Sequence, residues 1–205
     1  MPRKPVRADG LRTYQKLLDA VDNRLNTEAG TDIRLTAIAA ETGLPVASVY
    51  HFFPNPEAAL AAVTEKYVEQ AAIEIMSNHK PDEVQHWQDL VKAIFARGRI
   101  FYQKHPAAQK LRLGPVQCES VRHLVLVSNW ALAEAIQLEL QRLFAIQASP
   151  GLIDDLAYAI AISDALWSLS VSLHGVITDD LAFEAERMVV AFLSAKLEAN
   201  PPPST

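Results

Sequence analysis

Three features of the sequence predict an all-α fold. Apolar residues recur at three- and four-residue steps in segment after segment, glycine is scarce, and no hairpin turn stands between alternating apolar and polar runs. Gly30, Gly43, Pro54 to Pro56, Pro81, Pro106, Gly114 with Pro115, Pro150 with Gly151, Gly175 and Pro201 to Pro203 break this pattern into about nine helices.

Leu11, Tyr14, Leu18, Val21 and Leu25 share one face of a first helix over roughly Arg7 to Glu28. Two short helices follow, Leu35 to Thr42 and Val46 to Phe52, and Gly43 between them supplies a turn geometry that a side chain opposes. The fourth opens on Asn55-Pro56-Glu57, where Asn caps free amides, Pro loses nothing at the first helical position, and Glu favours the positive dipole end. It is expected to reach about Asn78. Val84, Trp87, Val91 and Ile94 mark another amphipathic face, and large side chains continue to Phe144. Leu152 to Leu173 is apolar nearly all round and needs burial on every side, with Ala157, Ala161 and Ala165 in a row that permits close helix approach. Leu181, Val189, Phe192 and Leu193 form a last apolar stripe, and the tail from Asn200 is Pro-rich and expected to fray.

Half of the 205 residues are hydrophobic and 21% are charged, which excludes a wholly disordered chain. The single cysteine, Cys118, excludes a disulfide framework and a multi-thiolate zinc site within one chain, and suggests a reducing, cytoplasmic address. The basic opening run leads to Asp9, Arg12, Lys16 and Asp19 rather than to an apolar stretch, so no signal peptide is expected. Leu156 to Ile177 is long enough for a membrane span. Asp164 near its middle, Asp154 and Asp155 before it, and its scattered serines favour a buried soluble helix. The net charge is −5, yet the first sixteen residues hold five cations against Asp9 alone, a local +4 that leaves −9 elsewhere. Such an arm serves either as a solvated tail or as a local element for a phosphate backbone.

The stretch Leu35 to Phe53 carries the function. Two short helices about Gly43 make a helix-turn-helix, with Ile38 and Ala39 facing the partner helix, Val49 and Phe52 or Phe53 anchoring the second helix from behind, and Ala47 and Ser48 outward. The full string, Ile38-Ala39, Gly43, Ser48-Val49-Tyr50-His51-Phe52-Phe53-Pro54-Asn55, Glu57-Ala58 and Leu60, strongly resembles the DNA-binding region of the tetracycline-repressor (TetR) family of bacterial regulators. The resemblance covers about Arg7 to Tyr67. It implies a helix-turn-helix domain over residues 1–55, a helical ligand-binding and dimerisation domain over residues 56–205, and a homodimer built on the last two helices.

Residue by residue, the resemblance assigns Thr36 to a groove-facing position, Pro45, Val46, Ala47, Ser48 and His51 to positions that meet bases or backbone, and Tyr50 to a phosphate. The family usually places a capping Ser or Thr where Arg34 stands and a phosphate-binding Lys where Pro56 stands. Arg34 at a helix start opposes the dipole, which a DNA phosphate beside it relieves; an exposed Arg without such a role is the other reading. Arg3, Lys4 and Arg7 of the arm are further candidates for phosphate or minor-groove contact. Few groups on the second helix can read bases, so recognition is expected to lean on apolar contacts and DNA shape.

In the larger domain the candidate ligand-binding residues are Trp87, Phe95, Phe101, Tyr102, Cys118, Arg122, His123, Trp130 and Trp167, an apolar set with a few polar groups, although any one of the aromatics serves equally as core. The last two apolar helices of two subunits would form a four-helix interface, or else an ordinary intrachain core. Asp82, His86 and Asp89 share a helical face but are better explained as solvated residues than as metal ligands, and the offset between Cys118 and His123 points them apart as a nucleophile and base. No phosphate loop or dinucleotide glycine pattern occurs, and no cofactor is expected. The expected function is a non-enzymatic regulator, a repressor in type, released from a palindromic DNA operator by a small, partly hydrophobic effector. The rival is a helical carrier or enzyme without DNA binding.

Overall fold

The computed structural model describes residues 2–27, 33–77, 84–114, 118–149 and 151–198. Among them are nine helices and no strand: α1 (Ala8–Thr27), α2 (Leu35–Thr42), α3 (Val46–Phe52), α4 (Pro56–Met76), α5 (Trp87–Lys104), α6 (Pro106–Arg112), α7 (Glu119–Phe144), α8 (Leu152–His174) and α9 (Asp179–Glu198). The expected helix ends Glu28 and Asn78, the breakers Gly30, Pro81, Pro115, Pro150 and Pro201 to Pro203, and Asp82 lie outside the described residues. The chain divides into two compact units, Met1–Glu69 with His105–Val125, and Gln70–Lys104 with Leu126–Thr205. The first unit contains the helix-turn-helix region and adds part of α4, all of α6 and the start of α7.

The first unit has an apolar centre and a polar seam. Leu17, Val21 and Leu25 of α1, Ile38 of α2, Val49 of α3, Phe53, and Ala59, Ala61 and Val63 of α4 are all fully buried. Alanines on α4 let the short helices approach closely, and Asn55 Oδ1 accepts the Ala58 N–H at 2.8 Å, the cap expected from the sequence. At the seam Asp22 of α1 takes Tyr67 Oη at 2.7 Å, Lys66 Nζ at 2.5 Å and Asn26 Nδ2 at 3.0 Å. Burial pushes the Tyr67 phenol well above its ordinary range, Asp22 pushes the same way, and the Asn26 contact opposes them, so the hydroxyl remains a donor.

The same seam joins α1 to α6 by reciprocal caps. His105 at the start of α6 makes no capping bond through its side chain. Instead Asn26 Oδ1, from α1, accepts the Ala107 N–H at 2.9 Å, while Lys110 Nζ of α6 donates to the Leu25 carbonyl in the last turn of α1 at 2.6 Å.

In the second unit, α8 and α9 form an antiparallel hairpin. Gly175 takes φ 76° and returns its N–H to Val171 at 2.8 Å; Ser170 Oγ donates to the Val176 carbonyl at 2.9 Å and accepts the Thr178 N–H at 2.8 Å. At the open end Lys196 Nζ lies 2.9 Å from Asp155 Oδ1. Leu156, Ala157 and Trp167 of α8 and Ala185, Val189 and Leu193 of α9 face the interior.

Within the single chain, burial gives these two helices an inner and an outer side. Leu152–His174 is long and apolar enough to cross a membrane, but only 33% of its most apolar stretch is buried within the chain, so it is not enclosed on every side. Ala157 faces inward, whereas Ala161 and Ala165 join Tyr158, Leu169 and Leu173 on an exposed stripe of α8. On α9 the stripe Leu181, Val189, Phe192 and Leu193 is buried or half-buried, and Phe183 and Met188 are the large apolar residues facing out. The cause is helical phase: a helix apolar all round does not reveal which side its own chain will cover.

Replacing Asn26 with Ala removes the cap of α6 and one donor to Asp22. Urea denaturation should show a loss of about 1–2 kcal/mol with unchanged slope, and an unchanged midpoint would show that this cap does not stabilise the unit.

Candidate nucleic-acid interface

The turn between α2 and α3 is built on Gly43, which adopts φ 66°, ψ 18° and has no atom near a Cβ added there. Only its left-handed backbone is demanding, and glycine adopts it without the steric cost of a side chain. Leu44 N–H returns to the Ala39 carbonyl at 3.2 Å, and Thr42 Oγ1 donates to Ile38 at 2.7 Å. Pro45, with ψ 137°, then redirects the chain into α3, whose Ser48 and Val49 amides return to the Pro45 carbonyl. Neither Arg34 at the start of α2 nor Pro45 at the start of α3 supplies a side-chain cap.

The inner face of α3 is closed by Val49, Phe52 and the following Phe53, with Tyr14 of α1 lying 5.9 Å from Phe52 and 5.4 Å from Phe53, ring to ring. The outer face is turned to solvent. Arg34, Thr36, Pro45, Val46, Ala47, Tyr50 and His51 are exposed and Ser48 is half-buried. The structure thus brings these eight sequence-predicted residues onto one helix-turn-helix. An open groove of about 450 Å³ runs beside them between α1 and α3, lined among others by Asp9, Ser48 and His51. Asp9 at this groove is paired with Arg12 of the same helix.

The arm is placed differently from a free basic tail. Arg3 donates its backbone N–H to the Phe52 carbonyl at 2.9 Å, and Lys4 Nζ lies 2.7 Å from Glu65 Oε2 of α4. Sequence reasoning missed both contacts, because neither partner is near in sequence.

No family model matches the sequence and no curated protein matches it. Solved structures do. A TetR-family transcriptional regulator from Streptomyces coelicolor superposes with a TM-score of 0.65 at 16% identity, covering 89% of this chain and 98% of its own. The chain has the TetR fold. A TetR transcriptional regulator from Rhodococcus sp. RHA1 gives 0.65 at 14% identity over 89% of this chain and 96% of its own. A chain from Shewanella sp. PV-4 gives 0.57 at 12% over 91% and 96%. At such identities the likeness is one of fold.

Within this TetR fold the nine ligand-binding candidates are divided between the two units. Phe95 and Tyr102 of α5 meet the buried Trp167 edge-on at 5.5 and 6.1 Å, and Phe101 meets Tyr102 at 5.4 Å. Gly98 makes room for this packing, since a Cβ there would stand 3.2 Å from Trp167. The Trp167 indole N–H is buried with no partner among the described residues. Trp130 lies elsewhere in the unit, 38% exposed, donating to Asp154 Oδ1 at 2.8 Å and meeting Tyr158 edge-on. Trp87 is half-buried at the start of α5. Cys118, Arg122 and His123 belong to the first unit, where Cys118 is half-buried and the other two are exposed.

Two arginines of α5 are committed to structure: Arg97 donates to backbone carbonyls at Ile75 and Ser77, and Arg99 pairs with Asp179 at 2.6 Å. Of the metal trio, Asp89 Oδ2 accepts the His86 N–H at 3.0 Å as the reaching-back half of a capping box, and no group of three or more potential ligands occurs among the described residues.

Gly43→Ala places a side chain at positive φ in the turn. The expected cost is about 1–2 kcal/mol, read as a lower urea midpoint; equal stability would show that the turn relaxes to a right-handed form.

Proposed function

We propose that this chain is a ligand-responsive transcriptional regulator that binds double-stranded DNA as a homodimer and is released from a palindromic operator by a small, partly hydrophobic effector. The exposed face of α2 and α3, held from behind by Ile38, Val49 and Phe53, carries the reading. Tyr50 and Arg34 are suited to phosphates, Ser48 and His51 to base edges, and Val46 and Ala47 to thymine methyls, with Thr36 beside the groove. The uncapped starts of α2 and α3 favour a neighbouring phosphate in the same way. The described neighbours of this fold are transcriptional regulators rather than enzymes, which supports a non-catalytic role, and such a role belongs in the cytoplasm with DNA.

The outward apolar stripe of α8, Tyr158, Ala161, Ala165, Leu169 and Leu173, with Phe183 and Met188 of α9, supports dimerisation through the last two helices. A two-fold pair presents two α3 helices to half-sites about one helical turn apart. The aromatic group around Trp167, whose indole N–H has no partner among the described residues, supports an effector with apolar bulk and an acceptor atom. Release then requires the effector to favour the non-binding conformation by about 1–3 kcal/mol.

The test is selection from a random DNA pool with the purified protein, followed by anisotropy titration of the selected site at rising salt. Tyr50→Ala should weaken binding, and Arg34→Ala should weaken it while lowering the salt slope by about one. If no sequence is enriched, the reading is wrong and the helical carrier takes its place. Light scattering tests the partner surface: Leu169→Glu with Leu173→Glu should give a monomer with weakened operator affinity, whereas a double variant that stays dimeric removes this face from the interface.

A further inference from the structure

Residues 3–5 touch three helices of the first unit. The Arg3 amide donates at 2.9 Å to the Phe52 carbonyl, one of the last four carbonyls of α3, which have no partner within the helix. Lys4 pairs with Glu65 of α4 at 2.7 Å, and this contact with the carboxylate raises the lysine above its ordinary range, keeping it a cation. Pro5 lies against Gly10 of α1 so closely that a Cβ at Gly10 would stand 2.8 Å from Pro5 Cβ. Glycine in the first turns of a helix costs stability relative to alanine. Its presence here is explained by the proline packed upon it. Helix α3 has only seven residues, too few to persist without outside contacts.

We propose that residues 3–5 form a strap that fixes the C-terminal end of α3, with Lys4 and Glu65 as its clasp and Gly10 as its seat. Building on the DNA-binding reading, the arm then acts by holding the recognition helix in position and not by placing its own cations on phosphates. Lys4 is a positioning residue whose charge is spent on Glu65.

Gly10→Ala separates the alternatives, because alanine favours α1 itself while driving Pro5 off its seat. With the selected DNA site, Gly10→Ala is expected to weaken binding about tenfold, on the scale of one ordered backbone hydrogen bond, with an unchanged salt slope. Lys4→Met should behave likewise. A phosphate-binding arm predicts the reverse: Arg3→Ser with Lys4→Met lowers the slope by about two, and Gly10→Ala has no effect. That result overturns the strap.

Hydrogen exchange in the free protein needs no DNA. Faster exchange of the α3 amides in Gly10→Ala, and in a chain lacking residues 2–5, is the expected outcome, and unchanged exchange in both overturns the strap. Should the random pool yield no site, the regulator reading fails by itself, while the exchange result still decides whether the strap holds α3.

Discussion

The burial of Val49, Phe52 and Phe53 beneath α3 is the constraint on which the first unit depends, because a helix of two turns gains little from its own hydrogen bonds. Each of these side chains removes apolar surface worth about 1.5–3 kcal/mol as an upper estimate. Tyr14 meets Phe52 edge-on and Phe53 at a tilt, and Ile38 is buried with them. With its inner face so fully engaged, the outer face is released from any packing duty. Small and polar residues such as Ala47, Ser48 and His51 can stand there without weakening the core. Gly43 then fixes the angle at which that face is presented.

The two units satisfy their surfaces in opposite ways. The first closes itself with polar groups: Asp22 collects three donors, Asn26 and Lys110 finish helix ends across the seam, and Arg24 pairs with Glu41. The second ends in an apolar hairpin whose outward stripe is exposed among the described residues. A closed unit keeps one shape and offers chemistry at its surface. An open apolar unit gains stability from association.

Much of the fold was legible in the sequence because its signals are local. Asn55-Pro56-Glu57 announced the start of α4, Gly43 announced the turn, and the three- and four-residue periods announced the helices with ends close to those observed. The outward side of Ala47 and Ser48 could be read in the same way, and the rest of the exposed set on α2 and α3 came with the family resemblance. What could not be read depends on partners distant in the chain. Asn26 and Ala107 are 81 residues apart, and Lys4 finds Glu65 only after α1 to α4 have packed. The phase of α8 and α9 was hidden for another reason: where every side is apolar, periodicity carries no direction. Spacing along α7 likewise does not say that its first turns, with Arg122 and His123, belong to one unit and Trp130 to the other.

The reciprocal caps of α1 and α6 give the first unit an unusual history during synthesis. Its three leading helices leave the ribosome early, but the residues that finish the ends of α1 and α6 arrive only with His105–Val125, after all of α5 has been made. Until then the last turn of α1 lacks its lysine and Asn26 lacks the amide it caps. The seam between α1 and α6 is therefore completed late, across an intervening stretch that belongs to the other unit, and its closure waits on translation of α5.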